Sequence, residues 1–214
     1  MIDLSNVTLL QLNCVDPDIG VKSMQYSSRH IKFAKKVLLS HEIPYNLTDD
    51  IEFIHIVKLD HLGTSRFRFE ELNKYVETKY YLSIQTDGFV INPHLWTDEF
   101  LKYDYIGAPW PDLPWNKKNR IGNGGFRLES KKLLQLCSNI VWNGQHDDVM
   151  ITNTFKDYFE AQGCKFPPIE VAAKFSLEHK IPEVEYNLNN CFGFHGKLTE
   201  ESKQYVEMIK SYEF

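Results

Sequence analysis

Apolar positions recur along the chain in short blocks, and the spacing inside each block predicts alternating strands and helices. Residues 7–13 (Val-Thr-Leu-Leu-Gln-Leu-Asn) form an apolar run of strand type, and the Pro, Asp and Gly of 14–20 read as the turn that ends it. From Ser23 the period lengthens: Met24, Ile31, Ala34 and Leu38 fall on one face of a helix running to about Ser40. A second strand is expected over 52–59, a loop over 60–65, and a helix over 67–76 carrying Leu72 and Val76. The next apolar run begins at Tyr80 and Tyr81 and stops on one acid, Asp87, followed at once by Gly88. Three strands alternating with two helices predict an α/β fold, a mostly parallel central sheet with helices on both faces.

Beyond Asp87 the pattern is more broken. A short helix is expected over 95–102, and the two prolines and two lysines of 111–119 predict a loop. Residues 120–129 place three glycines in four positions, Gly122, Gly124 and Gly125, before a further strand. Helices are expected over 130–140, with Leu133, Leu134 and Leu136 inward, and from His146-Asp147-Asp148 onward, with Ile151, Phe155 and Phe159 at helical spacing. A last strand over 168–177 and a polar helix over 199–211 complete the reading. No internal repeat, low-complexity stretch or linker divides the chain.

Composition narrows the function classes. With 214 residues, 43% apolar and 25% charged, the chain can bury a full core. No run approaches the roughly 18 apolar residues of a membrane span, and the first residues lack the pattern of a signal peptide, so a cytoplasmic protein is expected. A net charge of −5 gives no electrostatic footprint for nucleic acid. Cys14, Cys137, Cys164 and Cys191 are too far apart for a zinc knuckle or a redox pair, and free buried thiols are expected.

Four clusters could carry chemistry. A carboxylate at the end of a buried strand, as in Gln85-Thr86-Asp87, sits where α/β sheets bind ligands, although strands also end in Asp for turn reasons. The glycines at 122–125 lack the context of a dinucleotide or P-loop signature, which leaves close approach to a substrate or a plain turn. Asp147 and Asp148 open a helix, where acids either complement the dipole or act on a substrate. His195 lies between glycine-containing neighbours with Lys197 close by, a setting that suits metal ligation and phosphate contact better than core packing.

Taken in order, the strand ending in Asp87, Tyr103-Asp104-Tyr105-Ile106-Gly107-Ala108-Pro109-Trp110, Gly122-Asn123-Gly124-Gly125-Phe126-Arg127-Leu128, Asp147-Asp148-Val149 and the late His195-Gly196 resemble nucleotide-sugar-dependent glycosyltransferases of the GT-A fold. The likeness covers residues 7–197 and is to the small enzymes of bacteria and large DNA viruses, such as those that build chlorovirus capsid glycans. It implies one GT-A-type, Rossmann-like domain over 1–214. Residues 1–92 would form its nucleotide-binding half, 93–198 its acceptor-binding half and 199–214 a closing helix.

The resemblance also implies roles. Gln85, Thr86 and Asp87 match the family's Asp-x-Asp motif with glutamine in place of the first acid, so Asp87 would bind Mn²⁺ or Mg²⁺ directly. His195 matches a C-terminal metal ligand and Lys197 a diphosphate contact. Asn13, Val15 and Asp16 would meet base and ribose, and Gly124 and Gly125 the sugar and acceptor. Apart from the resemblance, Arg66 and Arg68, between the second and third strands, either reach the donor or stand as solvated charges at a helix start. Asp148, or else Asp147, would be the catalytic base of an inverting transfer. Trp96, Trp110, Trp115 and Trp142 fall where an acceptor would sit, and Trp110 and Trp115 are best placed to stack on a sugar.

The implied activity is transfer of a hexose or deoxyhexose from a nucleoside diphosphate, UDP by family habit, to a glycan or glycoconjugate hydroxyl. The expected site of action is the cytoplasm, that of the host for a viral chain, as a monomer or as part of a larger glycosyltransferase. Two rivals stand beside it. A sugar nucleotidyltransferase would carry a glycine-rich basic signature after the first strand, which 14–23 lacks, and a non-catalytic carbohydrate-binding domain would keep the fold without turnover.

Overall fold

A computed structural model describes residues 1–214. In chain order the elements are β1 (Ile2–Leu12), α1 (Pro17–Ser28), β2 (Ile31–Ser40), β3 (Glu52–His55), α2 (His61–Glu70), β4 (Tyr80–Ser83), β5 (Tyr105–Ile106) and β6 (Arg127–Ser130). They are followed by α3 (Lys131–Cys137), α4 (Asp147–Val149), α5 (Lys156–Ala161), α6 (Ile169–Phe175), β7 (Ser176–Leu177), β8 (Gly193–Phe194) and α7 (Glu200–Ser211). The six main strands order β3-β2-β1-β4-β6-β5, with β1 to β4 parallel and β6 inserted antiparallel between β4 and β5.

Strand alternation divides the core into two layers. Val7, Leu9, Leu38 and Leu82 face one side, where Val21 and Met24 of α1 and Phe175 of α6 cover them. Leu10, Leu12, Val37, Leu39 and Tyr81 face the other, against Leu134 of α3 and the short 3₁₀ turn at Leu72–Tyr75. The mostly parallel sheet flanked by helices is the fold class the pattern predicts. No helix is long and apolar enough to cross a membrane.

Three expectations fail. The loop expected over 60–65 and the helix expected over 67–76 are one helix, α2, from His61 to Glu70, capped by Asp60 accepting from Gly63 N at 2.7 Å, and then the 3₁₀ turn at Leu72–Tyr75. The helix expected over 23–40 is a helix over Pro17–Ser28 and then a strand, β2. Asp16 caps the helix by accepting from Ile19 N at 3.0 Å and Pro17 opens it, so the apparent turn residues are a helix start. In β2, Phe33 pairs with Leu4 and Lys35 with Thr8, so a bulge in β1 interrupts regular pairing there. Ile31, Ala34 and Leu38 mimic helical spacing across that irregularity. The strand expected over 168–177 is α6 plus a two-residue strand, because Pro168 pre-sets a helix start.

Register carries the ligand-facing segments to one edge of the sheet. Leu10 pairs with Ser83 and Ser83 with Arg127, so the chain leaving β4 at 84–87 runs beside the glycine turn that enters β6. Val90 bridges Gly193, and Gly196 N donates to Asp87 O at 2.7 Å, which brings β8 and His195 to the same edge. β7 pairs with β8, so Glu178 follows alongside. The loop between Trp110 and Arg120 is tied at its neck by a Pro109–Ile121 bridge and by Trp110 N donating to Arg120 O at 2.7 Å.

Candidate active site

Two cavities meet at this edge. One, of about 310 Å³, lies beyond β1 and β4 and is lined by Gln11, Asn13, Val15, Asp60, Thr86 and Asp87 among others. Its neighbour, of about 370 Å³, has Arg68, Trp110, Trp115, Asp148, Glu178 and His195 in its walls. His61, Thr64 and Gln85 line both, so the two form one trough with Gln85 at the junction.

His195 is the best-held side chain in the trough. Its Nε2 lies 3.2 Å from Gln85 Oε1 and 3.7 Å from Asp87 Oδ1, while its Nδ1 lies 3.1 Å from Glu178 Oε1 and 2.8 Å from Asn123 Nδ2. Backbone encloses the ring on two further sides. A Cβ at Gly125 would sit 2.0 Å from Nε2, and one at Gly88 2.8 Å from Cδ2. These two positions therefore need glycine for the sake of the histidine. Asn123 reaches it from a left-handed backbone conformation, φ 65°, uncommon for a residue with a side chain. Burial alone would lower the His195 pKa, but Glu178 and Asp87 outweigh it and the net shift is upward.

Asp87, Gln85 and His195 present a carboxylate oxygen, an amide oxygen and an imidazole nitrogen to one point, a donor set that suits a hard divalent ion. No three acidic, histidine or cysteine side chains gather into a complete cage. The residues therefore fit a cation whose remaining positions are filled by substrate oxygens and water.

The two acids of α4 do different work. Asp147 is buried and its Oδ2 lies 2.5 Å from Arg127 Nη1, while Arg127 Nε lies 2.5 Å from the buried Glu129 Oε1. Burial pushes the Asp147 carboxyl up, yet Arg127 and Arg68 together hold it below the usual carboxylate range. Asp148 has no cation in contact. Its Oδ2 accepts from Gly124 N at 2.9 Å and its Oδ1 from Val149 N at 2.8 Å, and burial and the Asp147 charge raise its pKa.

The remaining sequence candidates divide. Trp110 and Trp115 meet edge to face at 5.1 Å in the cavity wall, with Gly122 flat against the Trp110 ring. Trp96 instead packs on Phe100 and Phe192, and Trp142 donates to Gln145 O. Asn13 lines the smaller cavity, but its amide is spent on the turn, accepting from Val15 N and Asp16 N and donating to Asp16 O. Asp16 caps α1, Arg66 pairs with Glu70 on the surface at 2.8 Å, and Lys197 is exposed; these three line neither cavity. Arg68 is the arginine in the wall, its Nη1 donating to Ser83 Oγ at 2.6 Å. All four cysteines are free and buried, and burial raises Cys137, Cys164 (to about 11) and Cys191 (to about 12), so these three are poor nucleophiles at neutral pH.

Sequence reasoning missed Glu178. The available signal was the one that marked Asp87: an apolar strand end, Phe175-Ser176-Leu177, stopping on an acid.

No curated protein matches the sequence. Among solved structures the chain is similar to an active-site mutant of LgtC, at TM-score 0.55 and 12% identity over 95% of each chain. It is similar also to galactosyltransferase LgtC in complex with donor and acceptor sugar analogs, at TM-score 0.52 and 12% identity over 97% of this chain and 96% of that one. Bifunctional IspDF from Campylobacter jejuni aligns at TM-score 0.49 and 15% identity over 75% of this chain, which spans only 48% of that protein's length. At such identities the likeness establishes the GT-A fold. Residues 38–195 match one family model, and the chain belongs to that family, described as "Protein of unknown function (DUF5672)".

Proposed function

We propose that this chain is a glycosyltransferase that moves a sugar from a nucleoside diphosphate, UDP in the first instance, to a hydroxyl of a glycan acceptor with inversion. The observation that carries the reading is the trough. A nucleotide-sized cavity at the ends of parallel strands opens, at Gln85, into a second cavity that holds Asp148, a half-buried acid with no cation in contact, and two indoles. The LgtC structure with donor and acceptor sugar analogs has the same fold, which supports a sugar at the junction.

In this reading the nucleoside lies along Gln11 to Val15, the diphosphate lies at Asp87 and His195, and the sugar points toward Gly124 and Gly125. Mn²⁺ or Mg²⁺ held by Asp87 and His195 would supply neutralising charge to the diphosphate. Gln85 orients oxygens at the junction. The acceptor ring stacks on Trp115, whose ring is half exposed and therefore free to receive it. Asp148 takes the proton of the acceptor hydroxyl, the freed oxygen bonds to the anomeric carbon, and the bond from that carbon to the phosphate oxygen breaks with its electron pair on the nucleotide. Two backbone N–H groups hold the Asp148 carboxylate in place, and its raised pKa makes it a better base than a solvated aspartate.

The test is release of nucleoside diphosphate from a panel of nucleotide sugars, with Mn²⁺ or with chelator, in the presence of candidate glycans. Metal-dependent release that Asp87→Ala abolishes, in a folded protein, is the expected result. Pyrophosphate chemistry would point to a nucleotidyltransferase, and glycan binding without release would point to a binding domain; either outcome refutes the proposal.

A further inference from the structure

The clamp on His195 sets which ring nitrogen carries the proton. Two arrangements compete. In one, Nδ1–H donates to Glu178 Oε1, 3.1 Å away, and Nε2 presents a lone pair toward Gln85 and Asp87. In the other, Nδ1 accepts from Asn123 Nδ2, 2.8 Å away, and Nε2–H donates to Gln85 Oε1 at 3.2 Å. The Asn123 amide is oriented, because its Oδ1 accepts from Gly125 N at 2.8 Å and its Nδ2 is thereby turned toward the ring. Glu178 decides between them. A carboxylate facing a bare nitrogen lone pair at that distance is repulsive, whereas Nδ1–H makes a charge-assisted hydrogen bond with it. The Asn123 amide also stands near enough to Glu178 to favour its charged form.

We propose that Glu178 is a positioning residue that fixes the Nδ1–H tautomer of His195, so that the Nε2 lone pair faces the junction of the two cavities. What the lone pair meets there rests on the cation reading above; the control of the tautomer by Glu178 does not. A carboxylate behind a metal-binding imidazole fixes the ring's tautomer and orientation, and loss of such a partner costs about 10–100-fold in metal affinity. The backbone serves the same end: glycine at 88 and 125 and the left-handed Asn123 leave the ring one orientation.

The experiment is a long-range ¹H–¹⁵N correlation spectrum of histidine-labelled, metal-free protein at alkaline pH, above the raised titration of the ring, with the His195 ring assigned through a His195→Asn variant. The wild-type ring is expected to be neutral with the proton on Nδ1. In Glu178→Ala the Asn123 amide becomes the remaining partner of Nδ1, and the proton is expected on Nε2. Glu178→Gln keeps an acceptor oxygen of the same size and is expected to retain the wild-type tautomer, which separates positioning from folding. In parallel, the free Mn²⁺ signal in electron paramagnetic resonance, with UDP present, should report about 10–100-fold weaker binding for Glu178→Ala. A wild-type ring that is doubly protonated or carries its proton on Nε2, or a ring unchanged in Glu178→Ala, overturns the proposal. The expected tautomers together with no Mn²⁺ binding by the wild type would uphold it and overturn the cation reading instead.

Discussion

Gly125→Ala tests the clamp most directly. The new Cβ would lie 2.0 Å from His195 Nε2 and 2.1 Å from Cδ2, where 3.4 Å is ordinary contact, so the ring must retreat by more than an ångström. It cannot do so and keep its partners, because Glu178 and Asn123 hold Nδ1 at 3.1 and 2.8 Å. Overpacking costs about 1–3 kcal/mol. The weakened charge-assisted bond from Nδ1–H to Glu178 adds about 1.5–3 kcal/mol. At about 2–4 °C per kcal/mol for a chain of this size, a loss of about 2.5–6 kcal/mol lowers Tm by roughly 5–24 °C. Thermal unfolding followed by circular dichroism reads that shift, and calorimetric titration of UDP with Mn²⁺ reads the site. Should the ring swing into the cavity, the thermal shift shrinks to the hydrogen-bond contribution, but metal-dependent binding is still lost. A variant with wild-type Tm and wild-type UDP affinity would refute the account of why residue 125 is glycine.

Other perturbations separate structure from chemistry. Arg127→Met leaves Asp147 and Glu129 buried without their shared cation and should destabilise the chain by about 3–5 kcal/mol in urea unfolding; a loss under about 1 kcal/mol would contradict the ion-pair account. The Asp148 pKa is raised, so the base is lost as pH falls through a value above the usual 3.8, and the acid limb of the rate profile should have its midpoint there. Asp148→Asn should remove that limb and lower transfer by about 10²–10⁴-fold with UDP affinity unchanged, and full activity would move the base elsewhere. Trp115→Ala should raise the acceptor KM by up to roughly tenfold and leave donor hydrolysis as it was, since ring stacking contributes about 0.5–1.5 kcal/mol; an equal effect on donor hydrolysis would place the donor, and not the acceptor, at that ring.

The parallel sheet and the strand-end position of Asp87 were legible because Tyr80–Ser83 is a short apolar run that stops on an acid and a glycine. The start of α7 was equally legible, with Thr199 as its cap. β2 was not, because its alternation breaks where β1 bulges between Leu4 and Thr8, and a single window cannot see a partner strand. The difference between Asp147 and Asp148 was invisible for a related reason. Only the fold brings Arg127, twenty residues upstream, against one acid and leaves the other free. The glycine turn was read as room for a substrate; Gly124 and Gly125 do line the cavity, but the contacts that exclude a side chain at 122 and 125 come from the protein's own Trp110 and His195.

The loop carrying Trp115 has a consequence for diversification. Its neck is stapled to the sheet by the Pro109–Ile121 bridge, and inside it Asn116 makes the turn by donating to Pro111 O and accepting from Leu113 N. The tip takes no part in strand pairing, so a change in its sequence or length is expected to leave strand register and the histidine clamp as they are. Swapping this one cassette between related chains is the shortest evolutionary or engineering route to a new recognition surface on an unchanged scaffold.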